Sequence, residues 1–381
     1  MKPVYIAADN IISPLGNSTA ENFEKVRKGI SGIRQVTDAT FAAEPFYASM
    51  FAAGAIPVIS NDATRFENLC IASIQHALSQ TSITLADAGT LFILSTTKGN
   101  IELIEGQPVT DELQHKVSLY NTAKSIAGYF GSVNKPLVIS NACISGVLAV
   151  VTAGRLLQQG TYRHVVITGA DVLSRFVISG FKALNAMSMN ECKPFDKQRD
   201  GINLGECAAT IVLTVDSKLS KGVVVSGGSS TNDANHISGP SRTGLELSYA
   251  ANTAMQQSEV LPAGLSFVSA HGTATVYNDE MEAKAFSHSG LSAIPVHSLK
   301  GHFGHTLGAA GVLESILTCQ SLLDGVVLPS RNFGELGVSE TINVSKELNK
   351  SDKNHALKTA SGFGGCNAAV VYSLDDYIDK T

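Results

Sequence analysis

Leu137-Val138-Ile139-Ser140-Asn141-Ala142-Cys143-Ile144-Ser145-Gly146 runs from a short apolar segment into a turn of small residues. Val147-Leu148-Ala149-Val150-Val151-Thr152-Ala153-Gly154-Arg155-Leu156-Leu157 follows with a helical and almost wholly apolar pattern. This predicts a strand, a tight turn and a buried helix, with a cysteine on the turn. A thiol at that place would face the positive end of the helix and its free N–H groups, and both favour the nucleophilic thiolate. A buried structural cysteine is the other reading, and the turn alone leaves the two evenly balanced.

Similar units recur along the chain. Val4-Tyr5-Ile6-Ala7-Ala8, Leu91-Phe92-Ile93-Leu94-Ser95, Val165-Val166-Ile167-Thr168-Gly169 and Ala209-Thr210-Ile211-Val212-Leu213 read as buried strands, several of them separated by helical patterns. Val223-Val224-Val225-Ser226, Leu265-Ser266-Phe267-Val268 and Ala369-Val370-Val371-Tyr372 continue the scheme. The alternation predicts α/β layers with central strands covered on both faces. A faint symmetry sets strand, Cys143 turn and helix against strand, His305 turn and helix. The polar stretch Asp216-Ser217-Lys218-Leu219-Ser220-Lys221-Gly222 is the natural join.

Two histidine motifs favour the catalytic reading of Cys143. They are Val268-Ser269-Ala270-His271-Gly272-Thr273-Ala274-Thr275 and Ser298-Leu299-Lys300-Gly301-His302-Phe303-Gly304-His305-Thr306. Each follows an apolar segment and is crowded with small residues that let a ligand approach closely. One cysteine with two glycine-flanked histidines at strand ends points to nucleophilic catalysis. The loop Ser361-Gly362-Phe363-Gly364-Gly365-Cys366-Asn367 offers backbone N–H donors of the kind an oxyanion hole needs. His236, His297 and His302 are not expected to be catalytic.

These motifs, together with Ser13-Pro14-Leu15-Gly16-Asn17, Lys193-Pro194-Phe195-Asp196, Arg199-Asp200-Gly201 and Gly205-Glu206, resemble a β-ketoacyl-[acyl-carrier-protein] synthase in order and spacing. The resemblance is to the Cys-His-His condensing enzymes of the thiolase superfamily and covers essentially the whole chain. It implies the thiolase fold, two pseudo-symmetric halves forming a five-layered αβαβα core, here residues 1–216 with the nucleophile and 217–381 with the two histidines. It also implies a decarboxylative Claisen condensation. An acyl group moves from a carrier protein to Cys143. A malonyl-carrier thioester then loses CO₂, and its carbanion attacks the acyl-enzyme. By the same resemblance His271 and His305 donate N–H groups to the enolate oxygen, each with its Nδ1 side oriented by a neighbour. Lys300 pairs with Glu314, Phe363 gates the site, and the Cys143 and Phe363 N–H groups form the oxyanion hole. Thr273 and Thr275 bind the pantetheine arm or else cap a turn. Gly364 and Gly365 lie against the substrate, and a plain core phenylalanine is the competing reading of Phe363.

The chain has 381 residues, 44% hydrophobic and 16% charged, enough for one large or two fused domains with a substantial core. Its six cysteines show neither disulfide nor zinc spacing. No metal or organic cofactor is called for. No apolar run reaches the ~20 residues of a membrane helix, and a cytoplasmic protein is expected. The net charge of −5, with no basic run carrying aromatics, argues against nucleic acid. The resemblance implies acyl- and malonyl-loaded carrier protein as partners, with a homodimer or a heterodimer with a sister subunit. Ile144 beside the nucleophile and a trimmed region before Cys143 depart from the family pattern, which favours a polyene or polyketide pathway over housekeeping fatty-acid elongation. Two alternatives stand beside this: a thiolase, suggested by Cys366, and a non-catalytic chain-length-factor-like partner of a true synthase, although such partners commonly lack the cysteine.

Overall fold

The computed structural model describes residues 2–375. Eleven strands form the main sheet. They are β1 (Tyr5–Ile12), β2 (Thr90–Ser95), β3 (Leu137–Ile139), β4 (His164–Asp171), β5 (Cys207–Thr214), β6 (Val223–Asn232), β7 (Leu265–Ser269), β8 (Pro295–His297), β9 (Asn343–Val344), β10 (His355–Gly362) and β11 (Cys366–Leu374). Their spatial order is β9-β8-β7-β10-β11-β6-β1-β5-β4-β2-β3.

That order contains the same pattern twice. In the first half β1 pairs antiparallel with β5 and β5 antiparallel with β4, while β4–β2 and β2–β3 are parallel. In the second half β6 pairs antiparallel with β11 and β11 antiparallel with β10, while β10–β7 and β7–β8 are parallel. Chain order and strand sense match throughout, and β9 is an addition to the outer edge. The two patterns meet through one pair, Tyr5 opposite Val224.

Five helices complete the layers: α1 (Arg65–Leu78), α2 (Ser145–Gln158), α3 (Leu245–Gln257), α4 (Val276–His288) and α5 (Ala310–Leu323). α1 covers β1, β5 and β4, and α3 covers β6 and β11. α2 and α5 touch strands of both halves and each other, so they form the middle layer. This is the five-layered α/β thiolase fold. The middle helices are apolar nearly all round because both faces are covered, and twelve residues of α5 are buried. None of the helices in the described residues is long and apolar enough to cross a membrane.

The middle helices cross on glycine. A Cβ at Gly146 would lie 2.6 Å from Val312 N and 2.8 Å from Gly311 Cα, and one at Gly311 would lie 2.4 Å from Val147 N. Backbone cannot yield as a flexible side chain can. Gly311→Ala is therefore expected to cost about 3 kcal/mol or more, read as a fall in the denaturation midpoint. An unchanged midpoint would refute the close crossing.

Candidate active site

The Cys143 turn is built from its own small residues. Ala142 takes a left-handed φ of 43°. The Asn141 N–H donates to Ser145 Oγ at 2.8 Å, and that hydroxyl donates to Ala142 O at 2.7 Å. The helix starts at Ser145, two residues beyond the cysteine. Ile144 is buried in the core rather than in the cavity, so it does not crowd the nucleophile as its sequence position suggested.

His271 and His305 arrive from the other half. Their ring centroids lie 5.2 Å apart with planes at 84°. Cys143 Sγ and one nitrogen of each ring lie within 4.8 Å of one another. All three residues line a cavity of about 330 Å³, together with Thr273, Thr275 and Phe363. Three groups from three segments thus converge on one small volume that opens to solvent.

Each histidine has its own backbone support. After β7, the N–H groups of His271 and Gly272 donate to Glu282 Oε1 and Oε2 at 2.8 and 2.6 Å. Thr273 N–H donates to Asp279 at 3.0 Å. Both carboxylates stand on α4, three residues apart on one face. Burial pushes the Glu282 carboxyl up to about 7 and that of Asp279 up to about 6. The His305 N–H donates to Asn203 O at 2.7 Å, and the Gly205 N–H to His305 O at 3.0 Å. A Cβ at Gly205 would overlap Phe303 O, so this close approach requires glycine.

The ring nitrogens differ. His305 Nδ1 accepts the Leu307 N–H at 3.2 Å, which places the proton on Nε2. Among the described residues, His271 Nδ1 is buried and finds no hydrogen-bond partner. The expectation that a neighbour orients each Nδ1 therefore holds for His305 and fails for His271. Burial above all, followed by Lys300 and Lys358 among the nearby charges, holds both imidazoles well below their ordinary range.

The expected thiolate is not the resting state. Cys143 is 8% exposed, and burial pushes its thiol up to about 12, with nearby Cys366 adding to the effect. Lys300, the Phe363 N–H and Lys98 only partly offset this. A helix end two residues away is weaker than loss of water, so the neutral thiol is the favoured form near pH 7. Iodoacetamide alkylation of Cys143 in the acyl-free enzyme is expected to rise about tenfold per pH unit between about pH 6 and 9. A plateau near neutrality would show a stabilised thiolate instead.

Lys300 and Glu314 are both buried, with Nζ 2.7 Å from Oε1. A second buried lysine, Lys358 on β10, lies 2.6 Å from Glu314 Oε2, an ion contact rather than an aligned hydrogen bond. Although burial opposes it, Lys300 and Lys358 hold the Glu314 carboxyl below its usual range.

Phe363 is 39% exposed and stacks on Phe181 at 6.0 Å between centroids, which excludes a plain core role. Its backbone N–H is among the groups that lower the Cys143 thiol against the effect of burial. Gly364 and Gly365 do not line the cavity, contrary to expectation. They turn the loop instead, with φ of 83° and 77°. Thr275 makes no side-chain cap to α4. It shares a 2.8 Å hydroxyl contact with Thr273, so both hydroxyls stay at the cavity wall. Cys366 also lies outside the lining. Its sulfur contacts Phe363 O at 3.4 Å and Asn141 O at 3.8 Å. His302 Nδ1 turns away to Ile30 O at 2.9 Å, and His297 packs on Phe267.

The sequence reading passed over Lys358, Asp279 and Glu282. A lone charge inside Ala356-Leu357-Lys358-Thr359-Ala360 was a usable signal, since an unpaired charge is not buried in a strand. So was the spacing of Asp279 and Glu282 on one helical face.

Residues 96–218 match the family model described as beta-ketoacyl synthase, N-terminal domain, and residues 222–334 match beta-ketoacyl synthase, C-terminal domain. The 3-oxoacyl-[acyl-carrier-protein] synthase 2 of Staphylococcus aureus (strain COL) is 27% identical over 417 residues, with 97% of this chain and 98% of that protein covered. The synthase 2 of Vibrio harveyi is likewise 27% identical, with 97% and 98% covered. Among solved structures, a ketosynthase in complex with its chain length factor from Xenorhabdus doucetiae superposes with a TM-score of 0.88 at 22% identity, over 98% of each chain. The ishigamide ketosynthase/chain length factor gives 0.86 at 25% identity, over 98% and 99%.

Proposed function

Because the chain belongs to the β-ketoacyl synthase family of condensing acyltransferases, we propose that it extends a carrier-bound acyl chain by decarboxylative Claisen condensation with a malonyl-carrier thioester. The observation that carries this reading is the convergence of Cys143, His271 and His305 within 4.8 Å at one cavity. In this reading residues 1–216 carry the nucleophile and residues 217–381 the histidines.

In the first step the Cys143 sulfur bonds to the acyl carbon, and the carrier thiol leaves with the proton that Cys143 gives up. The N–H groups of Cys143 and Phe363 hold the oxyanion; losing one such donor typically costs ~3 kcal/mol. With its thiol at about 12, Cys143 must lose its proton as it attacks. His305 already carries its proton on Nε2 and cannot take another there. His271, whose Nδ1 is unpartnered, is the ring able to pass the proton on.

In the second step the malonyl C–C bond breaks, CO₂ leaves, and the enolate oxygen is held by the Nε2–H of His305 and by His271. Neutral imidazoles suit this role, since an N–H donor needs no net charge. The enolate carbon then attacks the acyl-enzyme carbonyl, and the Cys143 sulfur leaves and takes a proton from water. Thr273 and Thr275 at the cavity wall suit the pantetheine arm. Phe363 opens and closes the mouth, Lys300 and Glu314 position the histidine segments, and Gly364 and Gly365 give the gate its freedom.

A carrier protein is the partner this chemistry requires. The likeness to ketosynthases solved with a chain length factor supports a heterodimer over a homodimer, and in this reading the pathway is a polyene or polyketide one. The rival readings are weaker. A thiolase would need Cys366 at the cavity, and its sulfur faces backbone carbonyls instead. A non-catalytic partner would not need the full set of Cys143, His271 and His305.

The test is the intact mass of the protein after mixing with a panel of acyl-carrier thioesters. An acyl-sized gain, followed by extension on adding malonyl-carrier, is expected, with polyunsaturated chains turned over faster than saturated ones. No adduct from any donor, with or without a sister subunit, would sink the catalytic reading. A clear preference for long saturated chains would sink the specialised pathway.

A further inference from the structure

Lys358 is a fully buried cation to which the condensation chemistry above assigns no task. It lies in β10, the strand that runs into the Phe363 loop. Its ammonium contacts Glu314 Oε2 at 2.6 Å. It also donates to three carbonyl oxygens, those of Ser269 and Ala270 at 3.2 Å and that of Thr359 at 2.6 Å. Ala270 immediately precedes His271. The other oxygen of Glu314 is taken by Lys300, which opens the short helix Lys300–Phe303 just before His305. One ammonium therefore ties β10 to the end of β7 and, through Glu314, to the segment that delivers the second histidine.

The cluster also sets two buried cations on one carboxylate: Lys300 and Lys358 share Glu314, while Glu282 acts on Lys358 from α4 without an ion contact. Several groups surround the two imidazoles: Lys300 from the short helix, Lys358 from β10, Glu314 from α5, Asp279 and Glu282 from α4, and the Cys143 thiol from the turn before α2. Each ring also faces the other. Positive charge beside a buried imidazole disfavours the imidazolium.

We propose that Lys358 is a positioning residue for both histidines. Its ammonium clamps the backbone entering His271 and, sharing Glu314 with Lys300, adds positive charge that works with burial to hold both rings as neutral N–H donors. The inference rests on the decarboxylating reading of the site.

Two variants test it. K358M keeps most of the length and removes the charge. K358M/E314Q removes one charge of each sign and so restores the net charge beside the rings. Malonyl-thioester decarboxylation is followed from about pH 5 to 9, and the imidazoles by NMR titration, across the ordinary histidine range. With K358M the acid limb is expected to move up by about one pH unit, on top of a pH-independent fall in maximal rate from the lost clamp. In the double variant the limb returns to within about 0.3 unit of the wild type, while the maximal rate stays low because the clamp on Ala270 is still missing. A merely structural lysine would not give that reversal. A K358M limb within about 0.3 unit of the wild type, or a double variant that stays with K358M, overturns the proposal. Should K358M fail to fold, K358R, which keeps the charge on an altered clamp, decides together with the wild-type titration: a limb at the wild-type position with a lowered maximal rate supports the proposal, and a limb that moves up, or wild-type rings that protonate near the ordinary value of about 6.5, overturns it. If the wild type decarboxylates no malonyl thioester, the reading of the reaction fails, and the imidazole titrations still judge Lys358.

Discussion

Cys143→Ala is expected to abolish the acyl-sized mass gain and to lower condensation by about 10⁴-fold or more, while malonyl decarboxylation stays within about tenfold of the wild type. The split follows from the division of the site. Among the described residues only Cys143 offers a sulfur to the cavity, since Cys366 is turned to Phe363 O and Asn141 O. Without Cys143 the acyl group has no covalent anchor, and the carbanion has nothing to attack. The enolate, however, is stabilised by the two histidines, which stand on the other half and are supported by Glu282 and by Asn203 and Gly205. Removing one sulfur that is 8% exposed leaves those supports intact. Mass spectrometry of the variant with acyl donors, and CO₂ release from malonyl-carrier alone, measure the two halves separately. An adduct that persists in the variant would move the nucleophile to another cysteine. Loss of decarboxylation together with acylation would mean that the sulfur, and not the histidines alone, holds the enolate.

The fold was legible where the chain is most constrained. Apolar runs bounded by small-residue turns mark the eight quoted strands, because strands covered on both faces tolerate little but Val, Ile, Leu and Ala. The duplicated strand order was only faintly visible. It resides in pairing partners distant in sequence, such as β1 with β5 and β6 with β11, and not in residue identity. At the site, the order of motifs identified the residues but not their states. The expected thiolate failed because burial is a property of the packed core, which a local reading of the helix end does not contain. Lys300 and Glu314 could be paired from a family pattern, whereas Lys358 comes to Glu314 from a strand 44 residues further on and needed the fold to be seen. The family pattern places Gly364 and Gly365 against the substrate, in a loop whose glycines offer flexible backbone N–H donors. In the structure the same freedom is spent on positive φ, which turns Phe363 to the cavity.

His271→Ala and His305→Ala are expected to differ in which step they damage. Each should lower malonyl decarboxylation by ~10²–10³-fold, the effect of removing one donor to a developing oxyanion. Acylation separates them. His305 has its Nδ1 occupied by the Leu307 N–H and so presents only a donor to the cavity. Its loss should leave the rate of acyl-adduct formation near the wild-type value. His271 has an unpartnered Nδ1 and can change tautomer, so it can take the proton that a thiol at about 12 must release. Its loss should slow acylation by about 10²-fold, the usual worth of a positioned proton acceptor. That loss should shrink as the pH is raised, because hydroxide then ionises Cys143 directly. Rapid-quench intact-mass measurements at two pH values resolve this, with CO₂ release followed in parallel. Equal damage to acylation from both substitutions would refute the division of labour. A loss in His271→Ala that does not change with pH would show that the ring positions the acyl donor instead of moving its proton.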